Sequence, residues 1–294
     1  MTTKKRKDDK PKDKIQTTRQ DILAHQAFVP WTSQLQVEQD LLLCHAMVAL
    51  FNDNFLRSQV AMRGGTLLHK VHLAPAARYS EDIDLVAIGD RPETHIRLAI
   101  RRVLKDLLGT PQTSFWATLR LAVRNTVAPS RVLRTTYSMR SIMEPNRTLE
   151  IVVEANVSER KSYRPVVEMP FSFRYHNEVF QTHLKGFDIH EMLGTKMRAL
   201  FQRKHGRDLF DLYWALTQSP TPVKPKEVIA SFQHYLALEK TKIGRDEFIS
   251  ILQRHLKDPG FCSDMQPLLR ADIAYDPQVA GKLVISKLLK LLPA

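Results

Sequence analysis

The 294-residue sequence contains only two cysteines, Cys44 and Cys262, and they lie far apart. Two isolated thiols exclude the disulfide framework of a small secreted domain, so both are expected to stay reduced. The chain has no apolar run of about 18 residues, which argues against a membrane-spanning helix. Its first segment, MTTKKRKDDKPKDK, lacks the apolar stretch of a secretory signal. These absences favour a cytoplasmic protein with no membrane partner.

Two common kinds of catalytic site are also missing. His69 and His72 are three residues apart, but no cysteine or third histidine completes a zinc site around them, so helix surface or core is the better interpretation. The sequence has no G-x-S-x-G pattern, the turn that exposes the nucleophile of many serine hydrolases. Any chemistry must therefore come from other residues.

Acidic residues are in the minority, with 31 Asp and Glu against 44 Lys and Arg, and the net charge is +13. Residues 1–14 hold six Lys, one Arg and three Asp, or +4, which leaves +9 for the rest of the chain. This excess indicates a polyanionic partner, through steering and counterion release; charge for solubility alone is the alternative. Residues 1–16 are charged and lack apolar spacing, so they are predicted to form a disordered basic tail.

The apolar residues of the remaining chain recur with spacings typical of helices in some segments and of strands in others. They predict a helix over 33–55, a strand at 60–62, a helix from residue 66, a strand over 81–88, a basic helix over 92–108, a hairpin of strands 131–139 and 148–157, and helical structure over 188–216 that begins with a capping box of Asp188 and Glu191. We therefore predict an α+β fold: a mixed sheet flanked by helices at 17–187, then a helical domain at 188–294.

Two carboxylates occupy one face of the strand predicted at 81–88. Asp82 and Asp84 alternate with Ile83 and Leu85, so both acids point the same way. A divalent cation between such neighbours favours their ionised forms, and Mg²⁺ is commonly held by a few carboxylates together with substrate phosphates. A D-x-D pair also occurs on ordinary solvated strand faces, so this pattern alone is weak.

A glycine turn precedes the acidic strand. Gly64, Gly65 and Thr66 follow the strand at 60–62 and begin a helix, whose N-terminus offers free N–H groups and positive potential. Glycines let a phosphate approach closely because they carry no Cβ. Thr66 is predicted to cap the helix and to hydrogen-bond a phosphate. An ordinary glycine turn is the alternative, but a phosphate cradle and an acidic strand together are more specific than either alone.

The stretch that runs from G-G-T-L-L-H-K to R-Y-S-E-D-I-D-L resembles the signature of the AbiEii/AbiGii-type toxin nucleotidyltransferases. That family belongs to the DNA polymerase β-like superfamily, and the MenT-like tRNA-modifying toxins are one branch. The resemblance implies a bacterial toxin that uses Mg²⁺ to transfer nucleotides from an NTP to RNA, with the 3′ end of tRNA as the leading acceptor and blocked translation as the result. It also implies a cognate antitoxin as partner.

In this superfamily a third acid from a neighbouring strand completes the metal site. Glu150 and Glu154 share one face of T-L-E-I-V-V-E-A-N-V, and the likeness of the segment around Glu154 to the family's strand favours that residue. Glu150 remains the alternative third acid, and a salt bridge to an arginine is the competing interpretation of the glutamate. The metal ligands implied by the resemblance are thus Asp82, Asp84 and Glu154.

The segment 190–216, HEMLGTKMRALFQRKHGRDLFDLYWAL, resembles a second block of the family. It implies that Lys196 contacts the nucleotide's phosphates and that Asp211 orients the basic residues or assists catalysis; for Asp208 a structural salt bridge is the better interpretation. The implied catalytic residues are Asp82, Asp84, Lys196 and Asp211. The implied nucleotide-binding residues are Gly64, Gly65, Thr66, Ser80 and Lys196.

Ser80 precedes the acidic strand, so a phosphate added to it would repel an incoming NTP, which makes it a candidate control point. The acceptor is indicated by basic residues, which favour a nucleic acid: Arg97, Arg101, Arg102, Lys105, Arg131, Arg134, Arg140 and Arg147. Four aromatic residues are candidates for stacking on bases, although core positions are the more common use: Trp31, Phe171, Phe173 and Tyr175. Two alternatives remain: a nucleotidyltransferase that modifies a protein or a small molecule, and a non-catalytic RNA-binding protein.

Overall fold

The computed structural model describes residues 17–123 and 126–293, of which residues 116–123 and 126–130 are described by their backbone alone. The tail at 1–16, predicted to be disordered, lies outside the described residues. The helices are α1 (Arg19–Gln26), α2 (Gln34–Asn52), α3 (Asn54–Gln59), α4 (Gly64–Leu67), α5 (Glu93–Leu108), α6 (Ile189–Gln202), α7 (Gly206–Gln218), α8 (Pro225–Leu238), α9 (Arg245–His255), α10 (Pro259–Ser263) and α11 (Pro277–Lys287). A π-helical turn at Leu68–His72 continues α4, and a 3-10 turn at Leu289–Leu291 follows α11.

The strands of the described chain form one mixed sheet. They are β1 (Val60–Arg63), β2 (Asp82–Ala87), β3 (Thr113–Val123), β4 (Thr126–Arg140), β5 (Thr148–Asn156), β6 (Val167–Tyr175) and β7 (Glu178–Gly186), in the order β3-β4-β5-β2-β1-β7-β6. β2 is antiparallel to β1 and parallel to β5, whereas β1 is parallel to β7. This mixed sheet with flanking helices confirms the α+β prediction.

The sequence predicted β1, β2 and the β4–β5 hairpin but missed three strands, β3, β6 and β7. β6 contains Pro170, which argues against a central strand because proline cannot donate to a ladder. In the structure β6 is the edge strand of the sheet, where that loss is tolerated. The edge position is a product of the tertiary fold, which the local pattern does not reveal.

The helical structure predicted over 188–216 consists of two helices. The chain leaves helical conformation at Arg203, which has φ −137° and ψ 157°, and resumes it at Gly206. The interruption matters for the site because it lets α6 and α7 present side chains toward one another instead of along one cylinder. The resulting pair of helices lies next to β2 and the glycine turn through the contacts described below.

The capping box predicted for α6 is half correct. Asp188 does cap the helix, because its side chain accepts the backbone N–H of His190 at 2.9 Å. Glu191 does not reach back to the cap. It is fully buried and accepts the backbone N–H groups of residues 163–164, together with the hydroxyl of Tyr235 at 2.5 Å. Glu191 therefore ties α6 to the loop before β6 and to α8.

A single large hydrophobic cluster extends over most of the described chain. It contains residues of the sheet, such as Ile83 and Val153, and residues of the C-terminal helices, such as Phe232 and Val284. Because the cluster is continuous across residue 188, the domain division there stays a prediction. Among the described helices, none is both long and apolar enough to cross a bilayer.

Candidate active site

A cavity of about 780 Å³ lies over the polar face of β2 and β5. In the register of this parallel pair, Asp84 lies beside Glu154, and Asp82 lies beside Val152. Residues that are two apart on a strand, or paired across strands, point to the same face. The structure therefore brings the three predicted acids, Asp82, Asp84 and Glu154, to one wall of the cavity.

Glu150 also lines this cavity, but it lies four residues before Glu154 on β5, toward the start of the strand. It is exposed, and its carboxylate accepts the hydroxyl of Ser138 at 3.3 Å. Glu154, in contrast, is the direct cross-strand neighbour of Asp84. The register thus favours Glu154 over Glu150 as the third acid.

The two glycines of the turn each make room for a different side chain of the site. Gly64 has φ +82°, and a Cβ on it would overlap the carboxylate of Asp84, with 2.6 Å to that residue's Cγ. A Cβ on Gly65 would lie 2.6 Å from Arg78 Nη2 and 2.8 Å from Ser80 Oγ. The turn needs glycine because Asp84, Arg78 and Ser80 are pressed against its backbone.

Thr66 does not cap the helix, so that prediction is wrong. The cap position is Arg63, and Thr66 is the third residue of α4. Its buried hydroxyl lies 2.6 Å from the backbone carbonyl of Asp82 and 2.9 Å from Ser80 Oγ. Since a carbonyl only accepts, Thr66 must donate to it. Thr66 therefore holds the glycine turn against β2, whereas half-buried Ser80 lines the cavity.

Asp211 lies beneath the cavity and not on its wall. It is fully buried and accepts Arg78 Nε at 2.6 Å and Arg78 Nη2 at 2.8 Å, while Lys196 Nζ lies 2.8 Å from Asp211 Oδ2. His69 Nε2 adds a bond at 2.9 Å, which places this histidine in the core. Burial alone would raise the pKa of Asp211, but Arg78 and Lys196 hold it well below its ordinary value. Arg78 and Lys196 themselves line the cavity.

Asp208 has the matching role at the start of α7. It is fully buried, and it accepts Arg203 through two bonds of 2.8 and 3.0 Å and Lys196 at 3.2 Å. Despite burial, Lys196 and Arg203 lower its pKa. The ionised pair Asp208 and Asp211 thus fixes a row of cations, Arg78, Lys196 and Arg203, which line the same cavity as the acids. Arg78 and Arg203 in this row were not assigned roles from the sequence, although Arg78 begins the R-Y-S motif.

The acidic wall is electrostatically strained. Burial, followed by the negative charge of Asp84, raises the pKa of the Asp82 carboxyl to about 7. The same two causes raise the pKa of Glu154, although Arg134 opposes the shift. Clustered carboxylates with raised pKa values are a site at which a cation binds favourably. A cavity lined by clustered acids, by cations and by a glycine turn is suited to a polyphosphate with a bound metal ion.

Comparison with known proteins identifies the family that shares these motifs. Residues 45–281 match the model of the family described as nucleotidyl transferase AbiEii toxin, type IV TA system. The chain belongs to this family. It is therefore a nucleotidyltransferase of the toxin–antitoxin class, which has a nucleotide as substrate and an antitoxin as partner.

The fold of this AbiEii chain is similar to that of a solved relative, the nucleotidyltransferase toxin MenT4 from Mycobacterium tuberculosis H37Rv. The two share 14% sequence identity with a TM-score of 0.54, and the match covers 95% of this chain and 100% of that one. At this identity the likeness concerns the fold alone. No protein with a curated function matches the sequence.

The donor set of this AbiEii toxin fits Mg²⁺, because hard divalent ions prefer carboxylate oxygens. The three acids are spaced more widely than the ligands of a tight site, however. Among the described residues, the compact group of potential ligand atoms, all within 4.8 Å of one another, is His25, Asp40 and Cys44. Glu154 is instead held by Arg134 at 2.9 Å, across the β4–β5 pair.

The remaining residues singled out from the sequence are spread over the surface and the core. Arg131 pairs with Glu93 at 3.1 Å, and Arg102 pairs with Asp53 at 2.7 Å. Of the four aromatic candidates, two are buried and two are partly buried: Trp31 and Tyr175, and Phe171 and Phe173, respectively. None of the four lines the acidic cavity, so they do not stack on a nucleotide bound there.

Proposed function

We propose that this AbiEii toxin transfers a nucleotide from an NTP to RNA, at the 3′ end of tRNA, and so blocks translation in the bacterial cytoplasm. The observation that carries the proposal is one cavity lined both by Asp84 and Glu154, which are neighbours across β2 and β5, and by Lys196 and Arg203. Nucleotidyl transfer needs mainly such positioning and charge neutralisation.

The chain's own residues supply the nucleotide site. The backbone of Gly64 and Gly65 at the start of α4 presents N–H groups to the phosphates, and Lys196 and Arg203 offset their charge. Buried Asp211 and Asp208 hold those cations in place through ion pairs. Ser80 contributes a hydroxyl at the same wall of the cavity. The acids of α7 are buried because they hold cations, whereas the acids of β2 face the cavity, where a metal ion would bind.

Asp82, Asp84 and Glu154 are the residues that would hold Mg²⁺. When bound there, the metal would neutralise phosphate charge and lower the pKa of the acceptor hydroxyl. Glu154 is free to join the other two acids once its ion pair with Arg134 opens, and half-exposed Arg134 then becomes available to a phosphate. The raised pKa values of Asp82 and Glu154 support a cation as the missing counter-charge.

RNA as acceptor is supported by charge. The net charge is +13, and arginines line the cavity, among them Arg134, Arg203 and Arg207. A surface of this kind attracts polyanions by counterion release. A tRNA extended at its 3′ end cannot be aminoacylated, which would stop translation. A protein or a small hydroxyl compound as acceptor is the competing proposal, since only the acceptor would differ.

The experiment that tests the proposal offers each acceptor in turn. Purified protein, Mg²⁺ and each labelled NTP are incubated with total tRNA, with cell protein and with small hydroxyl compounds. The expected result is label in tRNA, abolished by Asp84→Asn and kept by Asp90→Asn, a change at an exposed acid outside the cavity. Label found only in protein or in small molecules would show that RNA is not the acceptor. Label found in none of the three would overturn the proposed transfer to RNA.

A further inference from the structure

A second cavity, of about 460 Å³, is adjacent to the first. Two segments separate them. In the loop between α4 and β2, Ala76 lines the second cavity and Arg78 lines the first; on α2, Asp40 lines the second and Gln39 the first. Ala76 and Arg78 are two residues apart, at most about 7 Å of chain. A ligand of the second cavity is therefore a near neighbour of the nucleotide site.

The walls of the second cavity are mostly aromatic and apolar. Phe171 and Phe173 of β6 form one side, and Trp31 forms another. At the rim, Phe28 is 60% exposed and Val179 is 56% exposed. Large apolar side chains this exposed, around a cavity of ordinary ligand size, indicate a binding surface for a flat apolar group.

The floor of the second cavity is polar, and its charged groups are paired with one another. The buried carboxylate of Asp40 accepts Lys70 Nζ at 2.5 Å, Trp31 Nε1 at 2.9 Å and His25 Nε2 at 2.9 Å. Although burial opposes ionisation, Lys70 and His25 hold the pKa of Asp40 below its ordinary value. Because the Lys70 ammonium occupies this carboxylate, the compact group of His25, Asp40 and Cys44 is not a cation site.

One polar atom of the floor is left over. His25 is 3% exposed, and its Nδ1 has no hydrogen-bond partner among the described residues. The ionised Asp40 can only accept, so Nε2 carries a hydrogen that points to it, while Nδ1 is enclosed by the fold. The other polar groups of the floor are therefore taken up by contacts within the protein, and the aromatic walls select a flat ring.

We propose that the second cavity binds an unstacked nucleobase of the acceptor RNA, an inference that rests on the proposed transfer to RNA. A nucleobase supplies a π-face for the rings of Phe171 and Phe173. Exposed Arg174 at the same cavity supplies charge for the flanking phosphate. Proteins that hold single-stranded RNA combine stacking aromatics with cations in this way.

The test measures binding of a short, labelled single-stranded RNA by fluorescence anisotropy. Phe28→Ala removes an exposed ring, and Val179→Trp fills the mouth with a residue that strands accept. Leu238→Ala is the matched control, because Leu238 is also 60% exposed but lies on α8, outside the second cavity. We expect RNA affinity to fall roughly fivefold or more in the first two variants and to stay unchanged in the control, with NTP affinity unaltered in all three.

The failure of this inference differs from the failure of the proposed function. If tRNA is labelled but Phe28→Ala and Val179→Trp bind RNA as the parent protein does, the base site is wrong and the transferase stands. If tRNA is not labelled but RNA binding falls in both variants, the base site stands without the transfer. If the two substitutions weaken the binding of a free nucleoside but not of RNA, the cavity serves a small heteroaromatic ligand and the inference is overturned.

Discussion

The carboxylate of Asp84 lies against the α-carbon of Gly64, so the acidic strand and the glycine turn touch with no room for a side chain between them. This contact places the acidic wall next to the backbone N–H groups at the start of α4. The two sequence motifs are thus one structural unit. Substitutions in this unit, and in the helices that support it, should therefore affect activity and stability in distinguishable ways.

Gly64→Ala should abolish activity and lower stability by about 2–4 kcal/mol, because it adds a steric overlap with Asp84 to the cost of an alanine at positive φ. Gly109→Ala is the control. Gly109 has φ +78°, but a Cβ there meets nothing within 4 Å, so it should cost only about 1 kcal/mol and leave activity intact. Urea unfolding and a transfer assay measure both. Equal losses in the two variants would mean that backbone strain alone matters.

Asp82→Asn should remove activity and raise stability, by about 1 kcal/mol, since it relieves repulsion with Asp84 in a half-buried site. Thermal unfolding without metal detects the gain, and added Mg²⁺ should stabilise the parent protein more than the variant. A variant that is less stable than its parent, with the same response to Mg²⁺, would show that Asp82 serves the fold and not a cation.

Glu154→Gln should lower kcat by about 10²-fold or more, whereas Glu150→Gln should change it little. The reason is register: Glu154 is beside Asp84, and Glu150 is at the exposed end of the strand, next to Ser138. Both substitutions keep the size of the side chain, so each is a control for the other. The reverse order of effects would make Glu150 the third acid.

Asp211→Asn should raise the KM for NTP and destabilise the protein by about 3–5 kcal/mol, because it leaves Arg78 and Lys196 without their shared buried counter-charge. Asp272→Asn removes an exposed carboxylate from its pair with Arg270 and should have neither effect. Steady-state kinetics and urea unfolding report the two quantities. A variant of normal stability that has lost only kcat would identify Asp211 as a catalytic group.

Stability should fall in acid partly through Glu159. Burial opposes ionisation, but Arg198 and Arg63 lower the pKa of Glu159 to about 2, from an ordinary 4.5. The contribution of ionised Glu159 to the free energy of unfolding is complete above pH 4.5 and is lost as the pH falls toward 2. That contribution is on the order of 3 kcal/mol. Glu159→Gln should therefore show a smaller loss of unfolding free energy between pH 5 and about 3.

The control for that experiment is Glu168→Gln. Glu168 pairs with Arg57 at 3.2 Å, but both side chains are nearly half exposed. Water screens such a pair, so the pH dependence of this variant should match the parent protein. If Glu159→Gln also matches the parent, the ion pairs of Glu159 with Arg63 and Arg198 contribute nothing to folding.

The regions of the molecule that the sequence predicted well are those in which local pattern and tertiary structure agree. Alternation of Asp82 and Asp84 with Ile83 and Leu85 predicts the acidic face, because a strand has no other way to arrange them. The same holds for α5 and for the β4–β5 hairpin. The glycine turn was placed correctly between β1 and α4, and the family was confirmed by the match over residues 45–281.

The errors concern contacts between distant segments. Thr66 fits the pattern of a helix cap, yet its hydroxyl is drawn to the Asp82 carbonyl 16 residues away. Glu191 fits a capping box, yet it serves the backbone of residues 163–164. In both cases a buried polar group that needed a partner outweighed a local preference worth about 1 kcal/mol.

The bond between Arg78 and Asp211 joins residues that are 133 positions apart in the chain. A ribosome therefore releases the acidic strand long before the aspartates that hold Arg78 and Lys196 in place. Until α7 has emerged and packed, the growing polypeptide holds a cluster of repelling carboxylates with no cations fixed beside it. The cavity is therefore completed only late in the synthesis of the chain.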